Sequence, residues 1–162
     1  MTHHRRRNNG IDPSKINETV ELSPAQRYAA FKQTQAKQRT VAAEFARSMP
    51  FELDEFQMQA NDALEAGDNV LVAAPTGAGK TVAADFAIYL AQTRNVKAFY
   101  TTPIKALSNQ KYHDLVDQYG TDKVGLLTGD TSINSEADIV VMTTEVLRNM
   151  LYEHSVTLEA LR

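Results

Sequence analysis

The sequence predicts an α/β domain in which a parallel sheet is covered by helices on both faces, preceded by a long helix and a basic tail. Three observations carry this expectation. From about residue 53 onward, short apolar runs alternate with stretches of helical periodicity, the pattern of strand–helix–strand units. At one junction an apolar run, Asn69-Val70-Leu71-Val72-Ala73, passes through a glycine-rich loop into a helical pattern from Val82 to Leu90. The conspicuous polar clusters all fall just after a predicted strand, the rim at which such sheets bind ligands.

The elements follow in order. Residues 1–22, rich in Arg, Asn and other polar types, read as a disordered basic tail. Ser23-Pro24 supplies an N-cap and a proline for the first helical position. A helix is predicted from there to about Ser48, with Tyr28, Phe31, Val41 and Phe45 as its apolar contacts, until Met49-Pro50 breaks it. Residues 49–162 form the α/β part. A helix starts near Leu53-Asp54 and ends at Gly67, a suitable C-terminal cap. Strand 69–74 feeds the glycine-rich loop and helix 80–92 follows. Strand 96–102 leads through Pro103 into a helix that Gly120 stops after Tyr119. Strand 123–127, the turn at Gly129-Asp130, strand 138–142 and a helix from about Glu145 to Glu153 complete the series. No internal repeat or low-complexity tract is visible.

Composition narrows the class. The 162 residues suffice for one domain with a sizeable core, and 43% hydrophobic with 23% charged residues is ordinary for a soluble protein. With no cysteine, a disulfide framework and a thiolate metal site are excluded. The four histidines (His3, His4, His113, His154) are scattered, which argues against a zinc cluster. No apolar run approaches a membrane span, Asp85 interrupts the longest candidate, and the basic start lacks the apolar stretch of a signal peptide. A cytoplasmic protein without a membrane partner is the expectation. The net charge of −3 is uneven: residues 1–48 carry +5 and the remainder −8. A basic arm of this kind suits either nonspecific contact with phosphate backbones or a solvated tail.

Ala74-Pro75-Thr76-Gly77-Ala78-Gly79-Lys80-Thr81 fits the spacing of a phosphate-binding loop, with alanine where the strict pattern starts on glycine. Gly77 and Gly79 let the backbone turn tightly and aim N–H groups at phosphate oxygens. The following helix adds the positive end of its dipole. Lys80 would reach the β- and γ-phosphates and the Thr81 hydroxyl would ligate Mg²⁺. The sequence therefore predicts a nucleoside triphosphate site. Three further clusters share its rim: Thr101-Thr102-Pro103, Thr128-Gly129-Asp130 and Thr143-Thr144-Glu145. Singly each also suits a strand end, a turn or a helix cap; together they indicate a ligand groove.

Read in order, Phe51-Glu52-Leu53-Asp54-Glu55-Phe56-Gln57, the phosphate loop, Thr102-Pro103-Ile104-Lys105-Ala106-Leu107-Ser108-Asn109-Gln110, Thr128-Gly129-Asp130 and Met142-Thr143-Thr144-Glu145 resemble consecutive motifs of superfamily-two RNA helicases. The wording is similar to the DExH-box branch that includes the exosome-associated and antiviral helicases. The resemblance covers about residues 50–155 and implies a RecA-like domain with ATP and Mg²⁺ as cofactors. It implies that Phe51 stacks on adenine, that Gln57 reads the adenine edge, and that Thr76, Gly77, Ala78, Gly79, Lys80 and Thr81 hold the phosphates and metal, Lys80 and Thr81 serving catalysis. Phe51 also suits a core anchor. One strand of RNA or single-stranded DNA would lie on Thr102, Pro103, Lys105, Asn109, Gln110, Gly129, Asp130, Thr143, Thr144 and Glu145, gripped by phosphate and sugar rather than by base. Asn109 and Gln110 equally suit a solvated helix face.

Hydrolysis in that family needs an aspartate for Mg²⁺ and a glutamate to orient water, placed after a further apolar strand. Asp54-Glu55 precedes the phosphate loop, and Glu145 is separated from its strand by two threonines, so neither fits. The expectation is an N-terminal fragment of the first RecA-like domain of an ATP-dependent RNA or DNA helicase. The rest of the chain, with a second RecA-like domain and its arginine finger, and an RNA-processing complex are the partners this implies. On its own the fragment is expected to be marginally stable, to bind Mg²⁺-ATP weakly and not to turn it over. Two other classes remain open: a P-loop kinase or nucleotide transferase, against which the scarcity of arginine after residue 48 speaks, and a non-catalytic nucleic-acid-binding module.

Overall fold

The computed structural model describes residues 23–37 and 39–153, and the chain divides into two units, residues 1–38 and 39–162. In the first, α1 spans Pro24–Lys37. Ser23 opens it as expected: its Oγ accepts from Gln26 N at 3.3 Å, and Gln26 Oε1 accepts from Ser23 N at 2.8 Å, a reciprocal box that satisfies two end donors. Tyr28 is not the apolar contact the periodicity predicts. It is 62% exposed, with the Lys32 ammonium 5.6 Å from its ring centroid. The expected tail over 1–22 lies outside the described residues, as does the side chain of Phe31 and with it the predicted contact.

The long helix predicted to reach Ser48 is two helices, because a second one, α2 (Val41–Ser48), has a start of its own. Thr40 is its N-cap and accepts from Ala43 N at 3.1 Å. The Glu65 carboxylate accepts from Val41 N and Ala42 N at 3.0 and 2.8 Å. Three end donors thus find acceptors, and a carboxylate meets the positive end of the helix. Glu65 comes from α3 (Glu55–Ala66), where Asp54 is the N-cap and Gln57 Oε1 accepts from Asp54 N at 2.9 Å. Gly67 ends α3 at φ 92°, the left-handed turn a Cβ would disfavour.

The remaining elements are α4 (Thr81–Thr93), β1 (Ala98–Thr102), α5 (Lys105–Tyr119), β2 (Val124–Leu127), β3 (Ser132–Ile133), β4 (Ile139–Thr143) and α6 (Thr144–Tyr152). The sheet runs β1-β4-β2-β3. β4 pairs in parallel with both neighbours, placing Ala98 and Val124 opposite Ile139 and Thr102 opposite Thr143. The sheet is mixed rather than wholly parallel, since β3 closes a short antiparallel hairpin on β2. Two residues are too few to leave an alternating pattern in the sequence.

Side-chain alternation sorts the sheet into two faces. Ile139, Val141, Val124 and Leu126 pack with Ile88 of α4 and Leu115 of α5 on one side. On the other, Val140 and Met142 pack with Phe99 and with Val146, Leu147 and Met150 of α6. Helices therefore cover both faces, as predicted. A separate helical cluster joins Ala42 and Phe45 of α2 to Val82, Phe86 and Leu90 of α4, with Phe45 and Phe86 edge to face at 5.3 Å.

The expected strand over 69–74 is absent from the sheet. Residues 68–75 carry no regular secondary structure and Leu71 is 93% exposed. The apolar run that predicts a strand supplies only half of one, because a strand also needs a neighbour for its backbone groups. Among the described residues no strand lies beside it.

Candidate nucleotide and nucleic-acid site

The phosphate loop connects residues 68–75 to α4. Gly77 and Gly79 take φ 84° and 73°, in the left-handed region, so the loop uses both glycines as the sequence requires. Ala78 N donates to Pro75 O at 3.3 Å and Val82 N to Gly79 O at 3.1 Å, which closes the turn and starts the helix. The Lys80 ammonium donates to Ala74 O and Pro75 O, both at 2.8 Å. It is thus folded over the loop and exposed, held by neutral carbonyls that a phosphate would readily replace. Thr76, Gly77 and Thr81 are exposed around it. The loop, the ammonium and the N-terminus of a 13-residue helix converge as an anion cradle.

Gln57 is buried behind this cradle. Its amide nitrogen donates to Gly79 O at 3.1 Å while its oxygen takes Asp54 N. A Cβ at Gly79 would lie 2.6 Å from that nitrogen, so close approach of Gln57 is a second reason for glycine there. In this arrangement the amide holds the loop and the α3 N-cap together, and both its ends are occupied. Phe51 is 51% exposed, a surface ring and not a core anchor.

The parallel register brings the three other clusters to one end of the sheet, after β1, β2 and β4. They differ in what they expose. Thr102 is buried: its hydroxyl donates to Ile104 O at 2.9 Å and lies 2.6 Å from Ser108 Oγ. Thr143 is buried at the N-cap of α6. These two shape the turns and offer little surface to a ligand. Pro103, Lys105, Gln110, Gly129, Asp130, Thr144 and Glu145 are exposed, and Asn109 is half-buried. Lys105 does not stand as a free charge. It pairs with Asp130 at 2.5 Å, and Asp130 also accepts from Thr128 Oγ1 at 2.9 Å. The Lys105 hydrogen bond first, and the Thr128 hydroxyl second, hold the Asp130 carboxyl below the usual carboxylate range. Glu145 faces solvent beside Arg148, 3.9 Å away.

A cleft of about 330 Å³ connects the two kinds of site. It is lined from α4 by Thr81 and Asp85, from β1 by Tyr100 and Thr102, and from α5 by Leu107, Gln110, Lys111 and Asp114. Across it Lys111 Nζ donates to Asp85 Oδ1 at 2.7 Å. Reading the sequence singled out neither of these two residues for function. Asp85 follows Thr81 by one helical turn, which was the available signal; the pairing with Lys111, 26 residues on, had none. Among the described residues no group of His, Cys, Asp or Glu is arranged to hold a metal ion by itself, and no helix is long and apolar enough to cross a membrane.

Comparison with known proteins bears on the family and the fold. The family model of the DEAD/DEAH box helicases matches residues 54–162. The chain is 61% identical over 117 residues to a probable helicase HelY of Mycobacterium tuberculosis, covering 72% of this chain and 13% of that protein. It is 55% identical over 107 residues to the antiviral helicase SKI2 of Saccharomyces cerevisiae, covering 66% of this chain and 8% of the relative. Among solved structures, a hypothetical ATP-dependent RNA helicase from Sulfolobus tokodaii superimposes with a TM-score of 0.54 at 28% identity, covering 75% of this chain and 38% of that one. The DUF1998 helicase MrfA bound to DNA gives 0.58 at 26% identity, over 75% and 19% of the respective chains. The chain spans about one eighth or less of the length of the two sequence relatives. On the match to the family model and the shared α/β fold, it belongs to the DEAD/DEAH box helicase family.

Proposed function

We propose that this chain carries the ATP- and nucleic-acid-binding surface of an ATP-dependent RNA or DNA helicase. The observation that supports this most is the shared cleft, in which Thr81 at the start of α4 faces the Thr102–Gln110 segment. The residues fit Mg²⁺-ATP: two left-handed glycines, a lysine held only by carbonyls and a hydroxyl at the first helical position. Bound there, Mg²⁺-ATP would supply the hydrolysable phosphoanhydride. Lys80 would exchange its carbonyl partners for phosphate oxygens, Thr81 would offer its hydroxyl to the metal, and the exposed Phe51 ring would stack on adenine. Gln57 would read adenine only by giving up a partner, so its amide would report base occupancy to the loop. One strand would lie over Pro103, Lys105, Gly129, Asp130, Thr144 and Glu145, near the N-termini of α5 and α6.

For the whole protein we place the hydrolytic acid pair and the second RecA-like domain in the remainder of a longer chain, as the small share of each relative supports. Family membership sets aside the kinase and nucleotide-transferase readings. The test is Mg²⁺-dependent phosphate release by the full-length protein with and without single-stranded RNA. Lys80→Ala should lower turnover by about 10²-fold or more, the scale of losing one charge-stabilising donor. Salt-dependent RNA binding that is indifferent to ATP, with no phosphate release, would make the protein a non-catalytic binding module instead.

A further inference from the structure

The ion pair between Asp85 and Lys111 joins the helix that starts at the phosphate loop to the helix that starts at the nucleic-acid segment. Its two side chains are only 33% and 18% exposed, respectively, and Lys111 Nζ also lies 5.3 Å from the centroid of the Tyr100 ring on β1. A charge pair so shielded is felt more strongly than one in open water, and removing either member leaves a half-buried charge. One turn or more further along, the two helices share an apolar cluster over the sheet through Ile88 and Leu115. Apolar contact resists separation but sets sliding position weakly, whereas a charged hydrogen bond of 2.7 Å fixes direction as well as distance. Asp85 stands one turn beyond Thr81, and Lys111 less than two turns beyond Lys105.

We propose that Asp85 and Lys111 are positioning residues that transmit nucleic-acid occupancy at the start of α5 to the phosphate loop at the start of α4. The proposal rests on the functional reading above. A strand that pulls on the α5 N-terminus shifts Lys111, Lys111 carries Asp85, and Asp85 reorients Thr81 and the loop before it. Neither residue touches nucleotide or strand in this scheme.

The test uses the full-length helicase with Asp85→Asn, Lys111→Met, both together, and the conservative Asp85→Glu. Basal Mg²⁺-ATP turnover, RNA-stimulated turnover, ATP KM, RNA Kd and Tm are read for each. Each single charge-removing variant should keep basal turnover within about twofold, yet lose stimulation by about fivefold or more, the lower end of typical coupling between sites. The double variant should lose no more than either single one, since the two act as a unit, and Asp85→Glu should retain stimulation. Unchanged stimulation in the single variants overturns the proposal. So does a fall in basal and stimulated rates in equal proportion alongside a lower Tm, which marks a merely structural pair, and so do additive losses in the double variant. Absence of stimulation by RNA and by single-stranded DNA alike in the wild-type protein would instead sink the functional reading itself.

Discussion

The Asp130 carboxylate holds three partners at once, Lys105 through one oxygen and the Thr128 and Thr131 hydroxyls through the other. Both charged side chains are well exposed, so the pair adds little to stability. Its consequence is competition, because a backbone phosphate seeking Lys105 meets a carboxylate already there. The carboxyl's pKa is depressed in the folded chain. The pairing is therefore complete above the ordinary carboxylate range and is lost only as pH falls through the lowered value. At neutral pH, Asp130→Asn should free Lys105 and tighten binding of single-stranded RNA. The slope of log affinity against log salt should steepen by about 0.7, as for one additional phosphate contact on a single strand. Fluorescence anisotropy over a salt series measures both effects, and weaker or unchanged binding would refute the competition. Lys105 and Asp130 were each legible in the sequence as polar residues following a strand. Their pairing was not, because 25 residues separate them and no local pattern links them.

At the scale of elements, helix ends were the most legible features, since capping is local chemistry. Ser23, Asp54, Gly67 and Gly120 all mark boundaries the sequence predicts. The end of α4 is the exception. Val96 N donates to Ala91 O and Asn95 N to Gln92 O, a paired closure that needs a left-handed residue, and Asn95 fills it at φ 52°. Asn95→Gly should keep both bonds while relieving the Cβ strain. It should stabilise the domain by up to about 1 kcal/mol, a rise of a few degrees in Tm. Thermal unfolding monitored by circular dichroism checks it, and a lower Tm would show that Asn95 contributes more than its backbone shape. The β2–β3 hairpin was missed for the opposite reason, being built on tertiary fit. Buried Gly125 lets the Asn134 carbonyl approach so closely that any Cβ would overlap it. Asn134 in turn takes φ 43° and ties its amide to Thr121 O and Asp122 O. Nothing in a four-residue apolar run announces that approach.

Across the whole molecule, the alternation of strand and helix and the order of the polar clusters made legible the fold class and the gathering of those clusters at one end of the sheet. The phosphate-loop run at 69–73 marks the boundary of that legibility, because pairing belongs to two segments and the sequence of one states only readiness for it. That readiness has a physical cost. Leu71 is 93% exposed, residues 69–73 lie along an open groove beside Phe56, Ala60 and Ala63 of α3, and their backbone groups join no ladder among the described residues. Exposed apolar segments with free backbone groups are templates for association. The 162-residue chain should therefore self-associate, and Leu71→Lys should oppose this by placing a solvated charge where apolar contact forms. Burying one leucine contributes about 1.5–3 kcal/mol. Losing it should weaken a dimer by about ten- to a hundredfold, at roughly 1.4 kcal/mol per tenfold. Sedimentation velocity over a concentration series reads the constant directly, while far-ultraviolet circular dichroism shows whether helix content is kept. A wild-type chain that stays monomeric throughout that series, or a Leu71→Lys chain that associates just as strongly, would show that this segment is not where copies meet.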